Sequence, residues 1–542
     1  MNLFFPFLLP LTSSTHAFCT NIYPGDVRLE PPEDAFPDIL TWLDNESKPV
    51  KAKGKAFALG LASKGGNNDV VKLLIAHHAD VNQATSDTGY ASLFNACSSG
   101  HTAVVETFLR TSSDVIDVNK VIFDTNSDTY KYLHDAPGDT PLLAACSDGY
   151  APIVKLLLQH KLVEPNKASA NGTTPFITAC ESGHADIMRL LLAMDGIDVH
   201  HANENGVTAF HAACGGGHNE ILQLLLQEFK EGIDINKPTE DGTVPLAIAS
   251  RNGRLDTVKV LVGLEDVDIN FVSKEGGPTP LYNAVARGWN TVVEFLLAQD
   301  DINVCGVVED NTYLSCACGE GGSGMVREEE FLEIVKMLLD HNDTNRSDLN
   351  TASTDNHETP LTYACCYGNE GLVELLLRQD GIEVNNIKED DRDQTEGERS
   401  RHAFSPPGGG PLHIACSSNQ WREALNTKVV QLLLAHKDID VNLVSEYGDT
   451  PLLLACKEYY FSEVVAELVA HKDVDVNAEN DEGETALSIL CTKNREGYVV
   501  CESTPAHLEG TLTEHKQLKL HILTIRRASR PCSCVTPVYA GM

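Results

Sequence analysis

The sequence predicts an all-α repeat solenoid, and three observations lead to this fold class. A nine-residue stretch recurs along the 542-residue chain. Most successive copies lie 33–36 residues apart, with four longer steps that carry insertions. Each copy is followed by an apolar block that is too wide for one amphipathic stripe. A chain that repeats one such unit is built as a stack in which every repeat packs against its neighbours.

The recurring stretch opens each unit and predicts the start of a first helix. It reads GDTPLLAAC at 138–146, GTTPFITAC at 172–180, GVTAFHAAC at 206–214, GTVPLAIAS at 242–250, GPTPLYNAV at 277–285 and GDTPLLLAC at 448–456. The Thr hydroxyl can cap the first turn, and Pro suits that turn because its missing N–H has no helical partner there. A Gly near the end of this helix favours a left-handed cap, as at Gly149, Gly183 and Gly217.

The apolar block predicts a second helix in each unit. It reads VVKLLI at 70–75, IVKLLL at 153–158, ILQLLL at 221–226 and VVQLLL at 429–434. Because its apolar side chains cover more than one helix face, the helix must be buried on two sides. Each unit closes with Asp-Val-Asn or a variant, at Asn82, Asn119, Asn236, Asn270, Asn385, Asn442 and Asn477. We count about twelve units, beginning with a degenerate one at 57–82 and ending with a partial one.

These residues resemble the ankyrin repeat, whose pattern is roughly G-x-T-P-L-H-x-A-A-x-x-G-H, an apolar block, and D-V-N. The resemblance covers about residues 57–491 and implies an array of helix-turn-helix units with projecting β-turn fingers. The His of the pattern is kept only at His211 and His413. The eighth unit, DNTYLSCAC at 310–318, lacks both Gly and Pro, so we expect it to be locally less stable.

The repeat sets the expected domain boundaries. Residues 1–55 form an N-terminal segment and cap, 56–491 the array, and 492–542 a C-terminal cap or tail. Insertions interrupt the array near 121–137, 319–330, 387–409 and 417–426. The apolar stretch at 1–17 fits either a secretory signal or part of the N-terminal segment. The lack of a basic residue before it is unlike a secretory signal.

The net charge of −37 restricts the classes of partner. It disfavours nucleic acid and anionic membrane surfaces, which require a basic footprint. It favours a basic protein partner, although acidity that merely keeps a long monomer in solution is an open alternative. No apolar run reaches the ~20 residues that a membrane span requires. We therefore expect a monomer that binds a protein partner, without a membrane span and without nucleic acid.

Nine of the sixteen Cys residues fall in one slot of the repeat, where ankyrin repeats usually have Ala. They are Cys97, Cys146, Cys180, Cys214, Cys318, Cys365, Cys416, Cys456 and Cys491. Equivalent slots of adjacent repeats lie ~8–10 Å apart, too far for a disulfide. We expect buried free thiols and hence a reducing compartment, the cytoplasm, with secretion as the alternative if residues 1–17 act as a signal.

No motif in the chain indicates catalysis. Gly319-x-Gly321-x-x-Gly324 matches the dinucleotide fingerprint in spacing, but it follows a predicted helix rather than a strand. No phosphate loop, zinc-protease motif or hydrolase elbow occurs. We expect no enzymatic activity, no cofactor and no metal.

The resemblance implies that a partner binds the concave surface, which turn tips and the exposed side of the first helices would form. The corresponding tip positions are Asp139, Thr173, Val207, Thr243, Pro278, Glu358, Asp449 and Glu484. The corresponding first-helix positions are Thr178, Ile248, Asn283, Tyr363 and Ile414. Tyr282, Tyr363 and Trp289 are the candidate aromatic anchors, with packing inside the stack as the alternative for each.

The sequence also carries candidate modification sites. Asn82, Asn442 and Asn477 resemble targets of asparaginyl hydroxylation, while the structural alternative is that each Asn hydrogen-bonds its turn. Ser529 follows Arg526-Arg527-Ala528 and resembles a basophilic kinase site. In some families a ubiquitin-ligase adaptor box follows an ankyrin array. Besides a cap or a tail, residues 492–542 could therefore be the part of a targeting subunit that recruits a ubiquitin ligase.

Overall fold

A computed structural model describes most of the repeat array. The described residues are 48–84, 90–111, 115–121, 138–229, 232–272, 277–304, 307–308, 311–322, 328–341, 348–354, 358–387, 409–417, 423–457 and 462–493. The chain divides into two compact bodies, residues 1–126 and 127–542, and each is described by itself.

The N-terminal body contains repeats 1 and 2. Its helices are α1 (Lys48–Lys64), α2 (Asn68–Ala76), α3 (Ser92–Ser98) and α4 (Thr102–Thr111). Helix α1 starts eight residues before the expected beginning of the array at residue 56. The domain boundaries stay a prediction. The His101 ring joins the two repeats, because its Nε2 lies 2.8 Å from the carbonyl oxygen of Lys64.

The C-terminal body contains repeats 3–12. Their first helices are α5 (Pro141–Ser147), α7 (Pro175–Ser182), α9 (Ala209–Gly216), α11 (Pro245–Arg251), α13 (Pro280–Ala286), α15 (Tyr313–Gly322), α17 (Pro360–Cys366), α19 (Pro411–Ser417), α21 (Pro451–Lys457) and α23 (Ala486–Lys493). The second helices are α6 (Ala151–Leu158), α8 (Ala185–Leu192), α10 (Asn219–Phe229), α12 (Leu255–Val262), α14 (Asn290–Leu297), α16 (Glu328–Asp340), α18 (Glu370–Leu377), α20 (Glu423–Leu434) and α22 (Ser462–Ala470). The all-α repeat solenoid is confirmed.

Threonine caps start most first helices, as the sequence predicts. The hydroxyl oxygen of Thr140 accepts a hydrogen bond from the backbone N–H of Leu143, at 3.2 Å. Thr279 caps Tyr282 in the same way at 3.0 Å. Gly183 and Gly217 end their helices in the left-handed conformation, which Gly adopts without a Cβ clash. The Thr-Pro signal therefore marks where the first helices begin.

Repeat 8 starts its first helix without Gly or Pro. Strands β1 (Val307–Val308) and β2 (Asn311–Thr312) pair antiparallel just before α15. Thr312 Oγ1 accepts from the Ser315 backbone N–H at 3.0 Å, and Ser315 Oγ accepts from the Thr312 N–H at 2.8 Å. This reciprocal cap replaces the missing Thr-Pro signal. The expected lower stability of this repeat stays a prediction.

The repeated Cys slot lies in the interior. Eight of its nine members are free and buried: Cys97, Cys146, Cys180, Cys214, Cys318, Cys365, Cys416 and Cys456. Burial raises the pKa of thiols such as Cys146 and Cys180, because the charged thiolate cannot be solvated there. The reading of these eight residues as buried apolar side chains is confirmed. The side chain of Cys491 lies outside the described residues.

Two insertions are partly helical, contrary to the expectation that they only lengthen connections. Helix α15 continues to Gly322, and α16 already begins at Glu328. Helix α20 likewise begins at Glu423, inside the 417–426 insertion. Gly319 thus lies within a helix, which does not suit a dinucleotide loop. Residues 1–47, 122–137, 388–408 and 494–542, and with them Ser529, lie outside the described residues.

The structure contains no described helix that is both long enough and apolar enough to cross a bilayer.

Candidate interaction surface

Short hairpin turns precede the first helices, and we call them fingers. Finger 4 is residues 169–173, finger 5 is 203–207, finger 6 is 239–243, finger 11 is 445–449 and finger 12 is 480–484. In each finger the backbone N–H of the first residue donates to the carbonyl of the fifth, at 2.9–3.1 Å. The fourth residue is a Gly with φ between +71° and +81°. These are the β-turn fingers that the repeat pattern implies.

Side chains inside each finger hold its shape. In finger 12 the Asn480 side-chain oxygen accepts from the backbone N–H groups of Glu482 and Glu484, at 3.1 and 2.9 Å. In finger 6 the Thr239 hydroxyl donates to the Asp241 carboxylate. That hydrogen bond is the main cause of the lowered pKa of Asp241, with the Thr243 N–H adding to it. The carboxylate is therefore held in its charged form.

Main-chain hydrogen bonds join neighbouring fingers. The Glu204 N–H donates to Asn171 O at 3.0 Å, and the Glu240 N–H donates to Asn205 O at 2.9 Å. Fingers 4, 5 and 6 therefore form one row. A longer contact of 3.4 Å, from Asp481 N to Tyr447 O, joins fingers 11 and 12.

The exposed tip of a finger is the pair of residues directly before its Gly. These pairs are Ala170-Asn171, Glu204-Asn205, Glu240-Asp241, Glu446-Tyr447 and Asp481-Glu482, and all ten residues are exposed. Six of the ten are acidic. The sequence analysis missed these residues, although an acidic residue before Gly at four of the five turns is the signal that could have found them.

Five of the predicted tip positions, Thr173, Val207, Thr243, Asp449 and Glu484, lie on the returning limb of their fingers, so their assignment as tips is wrong. Their backbone carbonyls close the hairpin, as Thr173, Val207 and Thr243 show. Asp139, Thr173, Val207, Thr243, Pro278 and Glu484 are half-buried. Glu358 and Asp449 are buried, at 5% and 6% exposure. They can support a contact surface but do not form its outermost part.

Two of the five first-helix positions, Asn283 and Ile414, are buried, contrary to the prediction. Asn283 is buried because its amide turns back onto its own helix and donates to Thr279 O at 3.2 Å. Ile414 is fully buried in α19, where the apolar side chain gains by leaving water. Thr178, Ile248 and Tyr363 are half-buried and face partly outward.

The three aromatic candidates take part in packing. The Tyr282 ring is buried and meets Tyr313 edge to face, with the ring centres 5.9 Å apart. Trp289 Nε1 donates to Arg251 O in the preceding repeat, at 2.8 Å. His184 makes the equivalent contact between repeats with Ser147 O. The Tyr363 hydroxyl donates to Asn311 Oδ1 at 3.4 Å. All three side chains thus make contacts inside the stack, as the alternative to a role as partner anchors predicts.

Two predicted site residues meet at fingers 11 and 12. Lys457 Nζ lies 2.8 Å from Asp449 Oδ1 and 3.6 Å from Glu484 Oε2. Asn480 Nδ2 donates to both carboxylates, at 3.0 Å each. This network connects repeat 11 to repeat 12. The Lys457 ammonium group compensates the charges of Asp449 and Glu484.

The closing Asn residues bridge consecutive repeats. Asn442 Nδ2 donates to Asp473 O and its Oδ1 accepts from Asp475 N, both at 2.7 Å. Asn82 makes the same pair with Val115 O and Asp117 N, at 2.7 and 2.8 Å. Asn477 is exposed, and its side-chain amide makes no hydrogen bond to any described residue. The three modification candidates are therefore not equivalent.

Among the described residues, no three His, Cys, Asp or Glu side chains are grouped to hold a metal ion.

Comparisons with known proteins bear on the repeat. A family profile described as ankyrin repeats, in three copies, matches residues 34–122, 118–203, 196–273, 325–389, 392–480 and 412–501, well over half of the chain. The human protein called Ankyrin repeat and SOCS box protein 16 is 32% identical over 148 residues, which are 27% of this chain and 31% of that protein. The chain thus covers less than a third of that relative's length.

Proposed function

We propose, from the premise that this chain belongs to the ankyrin-repeat family, that it is a scaffold or adaptor whose fingers 4, 5 and 6 bind a basic segment of a partner protein. Ankyrin repeats form protein–protein interaction domains. The finer proposal concerns which repeats make the contact and what chemistry the partner brings.

The observation that carries the proposal is the hydrogen-bonded row of fingers 4–6, in which the exposed tips of fingers 5 and 6 are acidic. Glu204 and Glu240 are exposed, and no described residue pairs with their carboxylates. Because each backbone N–H group donates to the neighbouring finger, the two tips that carry these carboxylates are held next to one another. A row of fixed negative charges attracts a partner with Lys or Arg residues and steers its approach.

The half-buried positions next to this row add contact area. Thr173, Val207 and Thr243 lie directly behind the tips, and Thr178 and Ile248 follow on α7 and α11. Acidic tips with less polar residues behind them fit a partner segment that carries both basic and apolar side chains.

The test is a charge reversal with a matched control. The full chain captures partners from native lysate as wild type, as Glu204→Lys/Glu240→Lys, and as Asp195→Lys/Glu265→Lys. The control residues are exposed acids in the turns after α8 and α12, so the net charge changes equally. We expect a stoichiometric partner that only the finger variant loses, by about tenfold or more. Equal binding by both variants would rule out fingers 4–6 as the site.

Modification of Asn477 is a second candidate function. It rests on the exposed, unbonded amide of Asn477, in contrast to the bridging amides of Asn82 and Asn442. An oxygenase that hydroxylates Asn would reach Asn477 without breaking contacts between repeats. Peptide mass spectrometry of native material should find one added oxygen at Asn477 before either of the others. Its absence from all three would count against the idea.

A ubiquitin-ligase targeting role is the third candidate. The supporting observation is that the human relative carries the words SOCS box in its name. In this proposal the array binds a substrate and residues 492–542 recruit the ligase. Co-purification of ligase subunits with the wild-type chain, and their loss when residues 502–542 are deleted, is the expected result. A ligase that is retained by the truncated chain would contradict it.

We also propose that the protein acts as a non-enzymatic monomer in the cytoplasm. The buried free thiols support a reducing compartment. Sedimentation of the purified chain checks the monomer, and fluorescence localisation of the full chain checks the compartment.

A further inference from the structure

Finger 11 carries an exposed apolar pair that its own repeat leaves uncovered. Tyr447 is 51% exposed and Val444, just before the finger, is 52% exposed. The carboxylates of Glu446, Asp481 and Glu482 lie on the same finger or on finger 12, which the Asp481 N to Tyr447 O contact holds alongside. This patch, which we call the Tyr447 patch, combines an aromatic ring with exposed acids.

Within the described part of the chain, no cation pairs with the acids of the Tyr447 patch, in contrast to Asp449 and Glu484 of the same two fingers. Asp449 and Glu484 share Lys457, so their charges are compensated inside the network. Among described residues, Glu446 and Glu482 have no such cation. A matching ligand would offer Lys or Arg groups for the carboxylates and the ring, together with apolar side chains for Val444 and Tyr447.

One segment of the chain has this chemistry. Residues 516–530 hold five of the chain's basic groups, at Lys516, Lys519, Arg526, Arg527 and Arg530. Apolar residues lie between them, at Leu518, Leu520, Ile522, Leu523 and Ile525. On a chain with net charge −37, so dense a basic and apolar segment matches the Tyr447 patch in both respects.

The chain length allows the contact. Helix α23 begins two residues after Glu484, which ends finger 12, and its eight residues span about 12 Å. The described chain therefore leaves the array close to the Tyr447 patch. The 22 residues between Lys493 and Lys516 can reach up to about 75 Å when extended, far more than the patch requires.

We propose that residues 516–530 bind the Tyr447 patch of the same chain and cover fingers 11 and 12. Ser529 lies inside the basic segment, so its phosphorylation would add negative charge and weaken the contact. The proposal does not depend on the partner site at fingers 4–6, which belong to other repeats.

The test uses a fluorescent peptide of residues 515–531 and the full chain in two forms. One form is wild type, and the other carries Gln at the five basic positions of the tail. The attached tail acts at an effective concentration on the order of millimolar. We expect the neutralised chain to bind the peptide about tenfold or more tightly than the wild-type chain, in which the patch is occupied. Equal affinity would overturn the proposal.

Matched variants in the neutralised chain locate the site. Glu446→Lys/Glu482→Lys should weaken peptide binding by about tenfold, whereas Glu204→Lys/Glu240→Lys, at the tips of fingers 5 and 6, should leave it unchanged. Equal losses in both variants would mean non-specific attraction and would overturn the proposal. The peptide with phosphorylated Ser529 should bind about tenfold more weakly, and unchanged binding would contradict the charge-based contact.

The alternative occupant of the Tyr447 patch is the segment 516–530 of a second copy of the chain. For contact within one chain, the weak peptide binding of wild-type protein should not change as the protein is diluted, and the protein should sediment as a monomer. Recovery of peptide affinity on dilution would assign the tail to a second copy and overturn the proposal. Because the experiment contains only this chain and its peptide, its failure leaves the partner site on fingers 4–6 untouched.

Discussion

Ser250 and Ser315 are both fully buried on first helices, yet only one hydroxyl is satisfied. Ser250 Oγ has no hydrogen-bond partner among the described atoms, whereas Ser315 Oγ bonds Thr312. Ser250 stands in the slot where other repeats have Cys. We predict that Ser250→Ala raises the free energy of unfolding of repeat 6 by about 1 kcal/mol, because an unpaired buried hydroxyl is removed.

The matched variant Ser315→Ala should lower the stability of repeat 8 by about 1–2 kcal/mol, because the Thr312 N–H loses its side-chain partner in the reciprocal cap. Hydrogen exchange of amides in α11 and α15 measures each effect locally. Destabilisation by both substitutions would mean that the Ser250 hydroxyl has a partner after all.

The closing Asn residues give a second comparison at this scale. Asn442→Ala removes two hydrogen bonds between consecutive repeats and should cost about 2 kcal/mol, measured by faster exchange of the Asp475 amide. Asn477→Ala removes none to the described residues and should be nearly neutral. Similar costs for the two variants would refute the assignment of Asn442 as the bridging residue and Asn477 as the free one.

Single residues also mark the limit of the sequence analysis. The pattern locates each finger, but Thr173 and Val207 are half-buried on the returning limb while Asn171 and Glu204 form the tips. Which residue projects depends on which carbonyl closes the hairpin, and a linear pattern does not contain that information. Ile414 was misplaced for a related reason, since its helix is buried on more than one side.

Helix starts are the elements that the sequence predicted best, because their signals are local. Thr at the cap and Pro in the first turn act within four residues, as in α5 and α13. The extension of α15 to Gly322 is not predicted by the sequence, because Gly has a low intrinsic preference for helix.

Two first helices carry a buried His that makes their stability depend on pH. In α19, His413 Nδ1 accepts from the Gly410 N–H at 3.2 Å and Nε2 lies 3.1 Å from Asp449 O. His211 in α9 is placed in the same way between Thr208 N and Lys237 O. A carbonyl can only accept and an N–H can only donate, so the neutral ring fits and the protonated ring does not. Burial lowers the pKa of both.

We predict that repeats 5 and 10 lose stability as the pH falls below about 6.5, where the unfolded His takes up a proton and the folded one resists it. Stability is full above that pH. Amide exchange in α9 and α19, at pH 7 and pH 5, measures the loss. His413→Leu introduces the residue found at the equivalent positions Leu143 and Leu453. It should abolish the pH dependence of stability in α19 and leave that in α9 unchanged. A persisting dependence in α19 would assign it to another group.

At the scale of the whole molecule, the buried thiols report which parts of the array open. Cys365 is buried and its pKa is raised by burial, while its neighbour Cys366 is half-buried. We predict that a thiol reagent at neutral pH labels Cys366 much faster than Cys365, and labels Cys146, Cys180 and Cys214 only when their repeats unfold. Tandem mass spectrometry of labelled peptides measures this. Equal rates at Cys365 and Cys366 would contradict the packing.

The repeat period alone predicts the solenoid, because about twelve copies show the same pattern even where single copies depart from it. The start of α1 at Lys48 and the role of the finger tips depended on packing and could not be read from the period. Which tips lie side by side likewise depends on the hydrogen bonds between fingers, which the period does not contain.

Site-specific photo-crosslinking shows whether fingers 4–6 contact the partner. A photoreactive amino acid replaces Asn205 or Glu240 in one set of full-length chains, and Asp195 or Glu265 in the other. We predict covalent partner adducts from the two finger positions and none from the two turns after the second helices. Adducts only from Asp195 or Glu265 would place the partner away from the fingers and contradict the account.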